Sequence, residues 1–189
     1  IKINTNVLEE CRKHKVKKAI SLLSTCVYPH IIKYPLTEDQ IHNGQPHSSN
    51  FGYAYAKRML DIQSRAYRRQ YGCKFITVIP NNLFGENDNF HPNDSHVIPA
   101  MIRKFHNAVM NNEKEIELWG DGTPLREFTY SKDIAQQLLF VLDHYDDSSP
   151  INLGTHDEIS IQYVAETLKR ISGFRGRIVW NTTMPTGQY

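Results

Sequence analysis

Phe51-Gly52-Tyr53-Ala54-Tyr55-Ala56-Lys57-Arg58 sets a tyrosine and a lysine four residues apart at the start of a stretch with helical periodicity. On a helix, positions i and i+4 share a face, so the phenol and the ammonium can reach one small volume. An unperturbed tyrosine titrates near ~10, and a nearby cation lowers that value by stabilising the phenolate. Tyr53 could then give a proton to a carbonyl oxygen or take one from an alcohol. The same spacing also occurs on ordinary helices, as a half-buried ring beside a solvated lysine. The preceding segment favours the chemical reading. Ile20-Ser21-Leu22-Leu23-Ser24-Thr25-Cys26 is an apolar run that opens into small hydroxyl residues. Such a run reads as a buried parallel strand whose carboxyl end presents side chains to a crevice.

Outward from these two stretches, strands and helices alternate. Val7, Leu8, Cys11 and His14 have helical spacing, with Asn4 or Thr5 as a cap, and a strand follows over residues 19–23. Residues 27–50 hold Pro29, Pro35, Pro46, Asn43-Gly44 and Ser48-Ser49-Asn50, so they form a long loop of the kind that carries binding residues. A helix over residues 54–71 closes at Gly72, and residues 75–79 form a second buried strand ending in Pro80-Asn81-Asn82-Leu83. After a polar stretch, a helix spans residues 96–111 with Ser95 as cap. Short strands then fall at 116–119, 126–130, 151–153 and 177–180, and helices at 134–145 and 160–171, capped by Ser131 and Ser160. This alternation implies a parallel-sheet α/β fold with a smaller, mixed lobe.

The 189 residues suffice for one domain or two small ones with a true core. A net charge of +2 is too mild to imply a nucleic-acid partner. The basic run Arg12-Lys13-His14-Lys15-Val16-Lys17-Lys18 reads as the solvated end of a helix, with phosphate binding as the minor alternative. No apolar stretch approaches the ~20 residues of a membrane span. Cys11, Cys26 and Cys73 are few and unpatterned, which suggests a reducing compartment. A zinc site from His91, His96 and Cys26 lacks metal-like spacing, so no metal is expected. The chain opens at Ile1 in what already reads as helix and contains no glycine-rich dinucleotide turn after a strand, so it is expected to be a piece of a longer protein.

Five blocks carry a more specific signal. Ser24-Thr25-Cys26-Val27-Tyr28-Pro29, Asn50-Phe51-Gly52-Tyr53-Ala54-Tyr55-Ala56-Lys57, Asp88-Asn89-Phe90, Ser95-His96-Val97-Ile98-Pro99 and the run from Trp119 to Phe128 together resemble the GDP-L-fucose synthase family. These are extended short-chain dehydrogenase/reductases that epimerise GDP-4-keto-6-deoxy-D-mannose at carbons 3 and 5 and reduce carbon 4. The resemblance implies a Rossmann-like doubly wound sheet, with the amino-terminal βαβ part missing. Residues 1–85 and 131–154 would belong to an NADP-binding domain, and 86–130 and 155–189 to a substrate-binding lobe. It further implies NADPH as cofactor, a GDP-sugar substrate, a cytoplasmic homodimer paired through the Tyr-Lys helix and the helix before it, and no activity in this piece alone.

The resemblance also assigns roles. Ser24 and Tyr53 would hold the ketone oxygen, with Lys57 supplying positive charge and gripping the nicotinamide ribose. Cys26 and His96 would be the acid and base on opposite faces of the ring, since a thiol near ~8.5 and an imidazole near ~6.5 both exchange protons close to neutrality. Taken singly, Cys26 would pass for a small buried hydrophobe and His96 for a helix-end histidine. Leu22, Leu23, Ser24 and Thr25 on one strand end, Pro80, Asn81, Asn82 and Leu83 on the next, and His96 would line the cofactor. Lys104, Arg126 and Trp119 would hold the GDP moiety; without the resemblance they read as a solvated cation, a surface ion pair and a core indole.

Three positions depart from the family pattern: Asn81 stands where threonine is common, Glu86 where proline is, and Thr186 where aspartate precedes Gly187. Two other readings stay open. One is a related nucleotide-sugar 4-epimerase or 4,6-dehydratase, although Cys26-Val27 stands where a dehydratase would carry acidic residues. The other is a binding module without activity.

Overall fold

The computed structural model describes residues 1–91 and 94–184. In chain order the elements are α1 (Lys2–Lys13), β1 (Ala19–Leu22), α2 (Phe51–Tyr71), β2 (Phe75–Pro80), β3 (Asn82–Phe84), α3 (Val97–Met110), β4 (Glu115–Trp119), β5 (Leu125–Tyr130), α4 (Ser131–His144), β6 (Ile151–Leu153), β7 (Glu158–Ser160), α5 (Ile161–Ser172) and β8 (Arg177–Asn181). They divide into two compact units, Ile1–Leu83 with Lys132–Gly154, and Phe84–Ser131 with the residues from Thr155 on.

The first unit is a parallel sheet in the order β1-β2-β6, with Ala19 opposite Phe75 and Val78 opposite Ile151. Phe75-Ile76-Thr77-Val78-Ile79-Pro80 is buried at every position, as expected of a central parallel strand covered on both faces. Phe75 and Ile79 pack with Leu8 of α1 and Leu60 of α2, while Ile76 and Val78 pack with Ile134 and Val141 of α4. The period-two alternation of β2 therefore feeds two separate cores. α2 closes at Gly72, whose φ of +68° lies in the left-handed region that favours glycine.

The second unit pairs β4 with β8 in parallel and β5 with β7 in antiparallel. In β4, Ile116 and Leu118 are buried while Glu115, Glu117 and Trp119 face out. α3 and α5 cover the buried face through Met101, Phe105, Val164 and Ala165, and Phe174, just after α5, packs edge to face with Phe105 at 5.8 Å.

The helix starts differ from expectation. α1 is already running at Thr5, whose backbone N–H donates to the Ile1 carbonyl, so neither Asn4 nor Thr5 caps it. α2 begins three residues early because a 3-10 turn, Ser48–Asn50, leads directly into it. Ser95 makes no cap for α3; the N-cap is His96, with extended backbone and no side-chain bond. α4 includes Ser131 within its first turn. Ser160 does cap α5, accepting from the Tyr163 backbone N–H at 3.1 Å. β3 and β7, three residues each, fall outside the predicted strands.

The basic run is structural. Arg12 donates twice to Glu9, and Lys13 pairs with Glu10. Lys18 reaches the carbonyls of Leu142 and Tyr145 at the carboxyl end of α4, where a cation complements the helix dipole. Glu9 also accepts from the Tyr67 hydroxyl at 2.9 Å, which ties α1 to α2. These bonds, Arg12 foremost, hold the Glu9 carboxyl down to about 2 from its ordinary 4.5. Lys74 and then Arg68 do the same for Asp146, held to about 2 from 3.8. Both carboxyls are depressed in the folded state, so their stabilisation is complete above the unfolded values and is lost as pH falls toward about 2. Acid unfolding followed by circular dichroism should show Glu9→Gln and Asp146→Asn weakening the protein at neutral pH and flattening its loss of stability below pH 4.5. An unchanged acid limb in both variants would refute this assignment.

Candidate active site

β1 ends at Leu22, and the Leu23 backbone N–H still donates to Val78 at 2.7 Å before the chain leaves the sheet. Leu23 turns its side chain into the core, so only its backbone faces the strand end. Ser24 has extended backbone and caps a 3-10 turn, Thr25–Val27, with its oxygen accepting from the Cys26 N–H at 3.4 Å. The serine hydroxyl proton remains available to a ligand. Cys26 is a free, partly exposed thiol on that turn.

α2 grips this turn at both ends. Lys57 Nζ donates to the Leu22 carbonyl at 2.7 Å, and Arg58 Nε donates to the Val27 carbonyl at 2.7 Å. Tyr53, one turn earlier on the same helix, is 51 % exposed, and Lys57 Nζ lies 5.6 Å from its ring centroid. Desolvation pushes Lys57 below its ordinary range, which favours its giving up or sharing a proton with a neighbouring oxygen. The structure thus places Ser24, Cys26, Tyr53 and Lys57 in one unit, on two segments joined by two hydrogen bonds to main-chain carbonyls.

The helix is anchored below by a carboxylate absent from the sequence-based reading. Asp61 is fully buried and accepts from Thr77 Oγ1 at 3.0 Å, from Arg65 Nε at 3.1 Å and from His42 Nε2 at 3.0 Å. One side chain therefore joins α2 to β2 and to the long loop. No local signal marked Asp61, which stands four residues from both Lys57 and Arg65 and reads as one of a row of helix charges.

At the next strand end, the Asn81 N–H donates to the Leu153 carbonyl at 3.1 Å. A Cβ on Gly154 would lie 2.3 Å from Asn81 Nδ2, so the placement of Asn81 requires glycine there. Pro80 is buried as the last residue of β2, and Asn82 and Leu83 open β3. A nicotinamide nucleotide fits this donor set: an exposed phenol, an ammonium with two N–H groups beyond the one given to Leu22, and close-packed backbone at two adjacent strand ends.

His96, Lys104, Trp119 and Arg126 belong to the second unit. His96 is exposed at the start of α3. Lys104 Nζ donates to the Glu117 carbonyl at 3.0 Å and sits 5.8 Å from the ring of Trp119, which is 56 % exposed. An exposed indole beside a cation suits stacking on a nucleobase near a phosphate, not a core position. Arg126 on β5 donates to the Leu125 carbonyl at 2.6 Å. Gly122, with φ of +78°, lies so close to Trp180 that a Cβ would be 2.7 Å from its ring. Glu86 accepts from the Tyr130 hydroxyl at 2.6 Å, a use that the proline common in the family could not serve. Thr186 and Gly187 lie outside the described residues. Among the described residues no His, Cys, Asp and Glu group could hold a metal ion, and no helix is long and apolar enough to cross a membrane.

A parallel sheet with a Tyr-Lys helix against its strand ends is the architecture of a nucleotide-binding α/β protein, and comparison with known proteins shows the family. Residues 1–154 match the model of the NAD dependent epimerase/dehydratase family, to which the chain belongs. It is 47 % identical to the GDP-L-fucose synthase of Dictyostelium discoideum, over 100 % of this chain and 59 % of that protein. It is 42 % identical to the probable GDP-L-fucose synthase of Drosophila melanogaster, over 99 % of this chain and 61 % of that one. The crystal structure of a GDP-L-fucose synthetase from Naegleria fowleri bound to NADP superposes with a TM-score of 0.94 at 44 % identity, covering 98 % of this chain and 60 % of that one. The chain thus spans about three-fifths of the length of the relatives it matches.

The Asp61 hub yields a stability prediction. Asp61→Asn keeps the shape but removes the charge facing Arg65 and His42, both of which can turn toward solvent. A loss of about 2 kcal/mol is expected in urea unfolding. A change below about 0.5 kcal/mol would show that the three bonds contribute little.

Proposed function

We propose that the complete protein is a GDP-L-fucose synthase, which inverts carbons 3 and 5 of GDP-4-keto-6-deoxy-D-mannose and then reduces carbon 4. The observation that carries this reading is the 3-10 turn of Ser24 and Cys26 held against the Tyr53-Lys57 helix, which supplies hydroxyl, thiol, phenol and ammonium from one unit. The relatives named above support it at the level of the whole chain.

Carbons 3 and 5 flank the ketone at carbon 4, so loss of either proton places negative charge on one oxygen. Ser24 and Tyr53 donate hydrogen bonds to that oxygen, and Lys57 adds positive charge beside the phenol, so one oxyanion site serves every step. Cys26 and His96 exchange the carbon-bound protons, one removing and the other returning a proton on the opposite face. Lys104 and Arg126 hold the diphosphate, and Trp119 stacks on the base. Ser24, Thr25, Asn81 and Lys57 would hold an NADPH at the strand ends, and the bound cofactor would supply the hydride for carbon 4. Tyr53 gives its proton to the oxygen as that oxygen becomes a hydroxyl. In this reading Ile1–Leu83 with Lys132–Gly154 form the cofactor domain, and the other unit carries the GDP-sugar contacts.

Assay of the complete protein with the 4-keto sugar and NADPH tests the reading. Wild type should form GDP-L-fucose, Tyr53→Phe should lose about 10²- to 10⁴-fold in reduction, and Cys26→Ser with His96→Asn should abolish exchange of substrate protons with solvent. Reduction untouched by Tyr53→Phe, or exchange surviving the double change, would reject it.

The same reading includes a homodimer. Phe51, Tyr55, Met59 and Ile62 form an exposed stripe at helical spacing on α2, and Ile3 and Val7 are exposed on α1. Such a stripe suits a self-complementary four-helix contact. Sedimentation should give a dimer for the complete protein and a monomer for Met59→Glu with Ile62→Glu; a monomeric wild type would contradict it.

A further inference from the structure

We propose that Arg58 is a positioning residue that fixes the thiol of Cys26 relative to Tyr53, an inference that rests on the catalytic roles set out above. Arg58 is 5 % exposed. It donates from Nε to the Val27 carbonyl at 2.7 Å and from Nη1 to the Gly44 carbonyl at 2.6 Å, with its guanidinium 5.4 Å from the Tyr55 ring. Its buried Nη2 has no hydrogen-bond partner among the described residues, and none of them forms a salt bridge with it. Burying a cation against carbonyl oxygens alone is unfavourable compared with an apolar side chain of the same volume. Simple packing of the loop on α2 therefore does not account for a guanidinium here.

What a guanidinium adds is direction. Its planar fork aims two N–H groups at two separate backbone carbonyls. The entrance of the Ser24–Val27 turn is fixed independently, by Leu23 in the sheet ladder and by Lys57 on the Leu22 carbonyl. Its exit is fixed by Arg58 on the Val27 carbonyl. Ser24 lies next to the entrance and Cys26 next to the exit. Lys57 and Arg58 are adjacent on the helix that carries Tyr53, so the two grips set hydroxyl and thiol against one phenol. Releasing the exit leaves Ser24 near its place and lets Cys26 swing. Proton transfer to and from carbon tolerates little displacement, because a misplacement of about 1 Å costs on the order of 10²-fold.

The test compares wild type, Arg58→Met and Arg58→Lys in the complete protein. The lysine variant keeps the charge but can reach only one of the two carbonyls at a time. The first readout is independent of activity: the rate of alkylation of Cys26 by iodoacetamide, followed by peptide mass spectrometry with Cys11 and Cys73 as internal controls. Cys26 should react at least about threefold faster in both variants, with the controls within about twofold of wild type. The second readout separates the two chemical steps. Incorporation of solvent deuterium into the 4-keto sugar should fall about 10-fold or more beyond any fall in reduction of a ketone already inverted at carbons 3 and 5. Equal changes at all three cysteines, equal losses in both steps, or failure of both variants to fold would overturn the proposal. Wild type without activity on the 4-keto sugar would defeat the functional reading, while the alkylation rates would still judge the role of Arg58.

Discussion

The candidate site depends on one constraint: helix α2 must hold a fixed position against the carboxyl end of β1. Hydrophobic packing of Leu60 in one cluster with Leu23, Phe75 and Ile79 brings the two together but leaves their relative rotation loosely defined. The polar side chains of α2 remove that freedom. Lys57 and Arg58 bind the carbonyls at either end of the turn after β1, and buried Asp61 binds Thr77 on β2. The bonds of Arg58 and Asp61 are buried and satisfy groups that would otherwise lack water, so slippage along the helix would leave several polar groups without partners at once.

This arrangement gives α2 two kinds of polar work. In the proposed function its first turns present Tyr53 and Lys57 for chemistry, and the next residues maintain the frame that makes the presentation repeatable. The long loop shares in the frame. Gly44 accepts from Arg58, His42 donates to Asp61, and Asn152 on β6 receives the Tyr28 hydroxyl at 2.7 Å while its backbone N–H donates to Glu38 at 2.7 Å. A segment rich in proline and glycine is thereby tied to the sheet at defined points along its length, as a loop that carries binding residues requires.

The parallel α/β character was legible because β2 is a nearly unbroken apolar run and because α2 ends at a left-handed glycine, whereas β1 was expected to be buried and is only partly so. Tyr53, Lys57, Ser24 and Cys26 could be singled out from spacing and resemblance, and the structure places all four in one unit. Arg58 and Asp61 could not, because a charged residue inside a helix reads by default as solvated and only tertiary burial reverses that reading. Ser95 was misread as a cap for a similar reason: the rule names residue types suited to capping, whereas His96 holds the extended backbone conformation of an N-cap. Lys18 looked like one charge in a solvated run, and its role at the end of α4 arises from a separation of 124 residues to Leu142, which no local pattern encodes.

The central claim is that one oxygen of the substrate is held jointly by Ser24 and Tyr53. A crystal structure of the complete protein with NADP and a GDP-4-keto sugar measures this directly. The account predicts the ketone oxygen about 2.6–3.2 Å from both Ser24 Oγ and Tyr53 Oη, with the Lys57–Leu22 and Arg58–Val27 bonds intact. A ketone oxygen bound away from either hydroxyl, in a fully occupied complex, would contradict it.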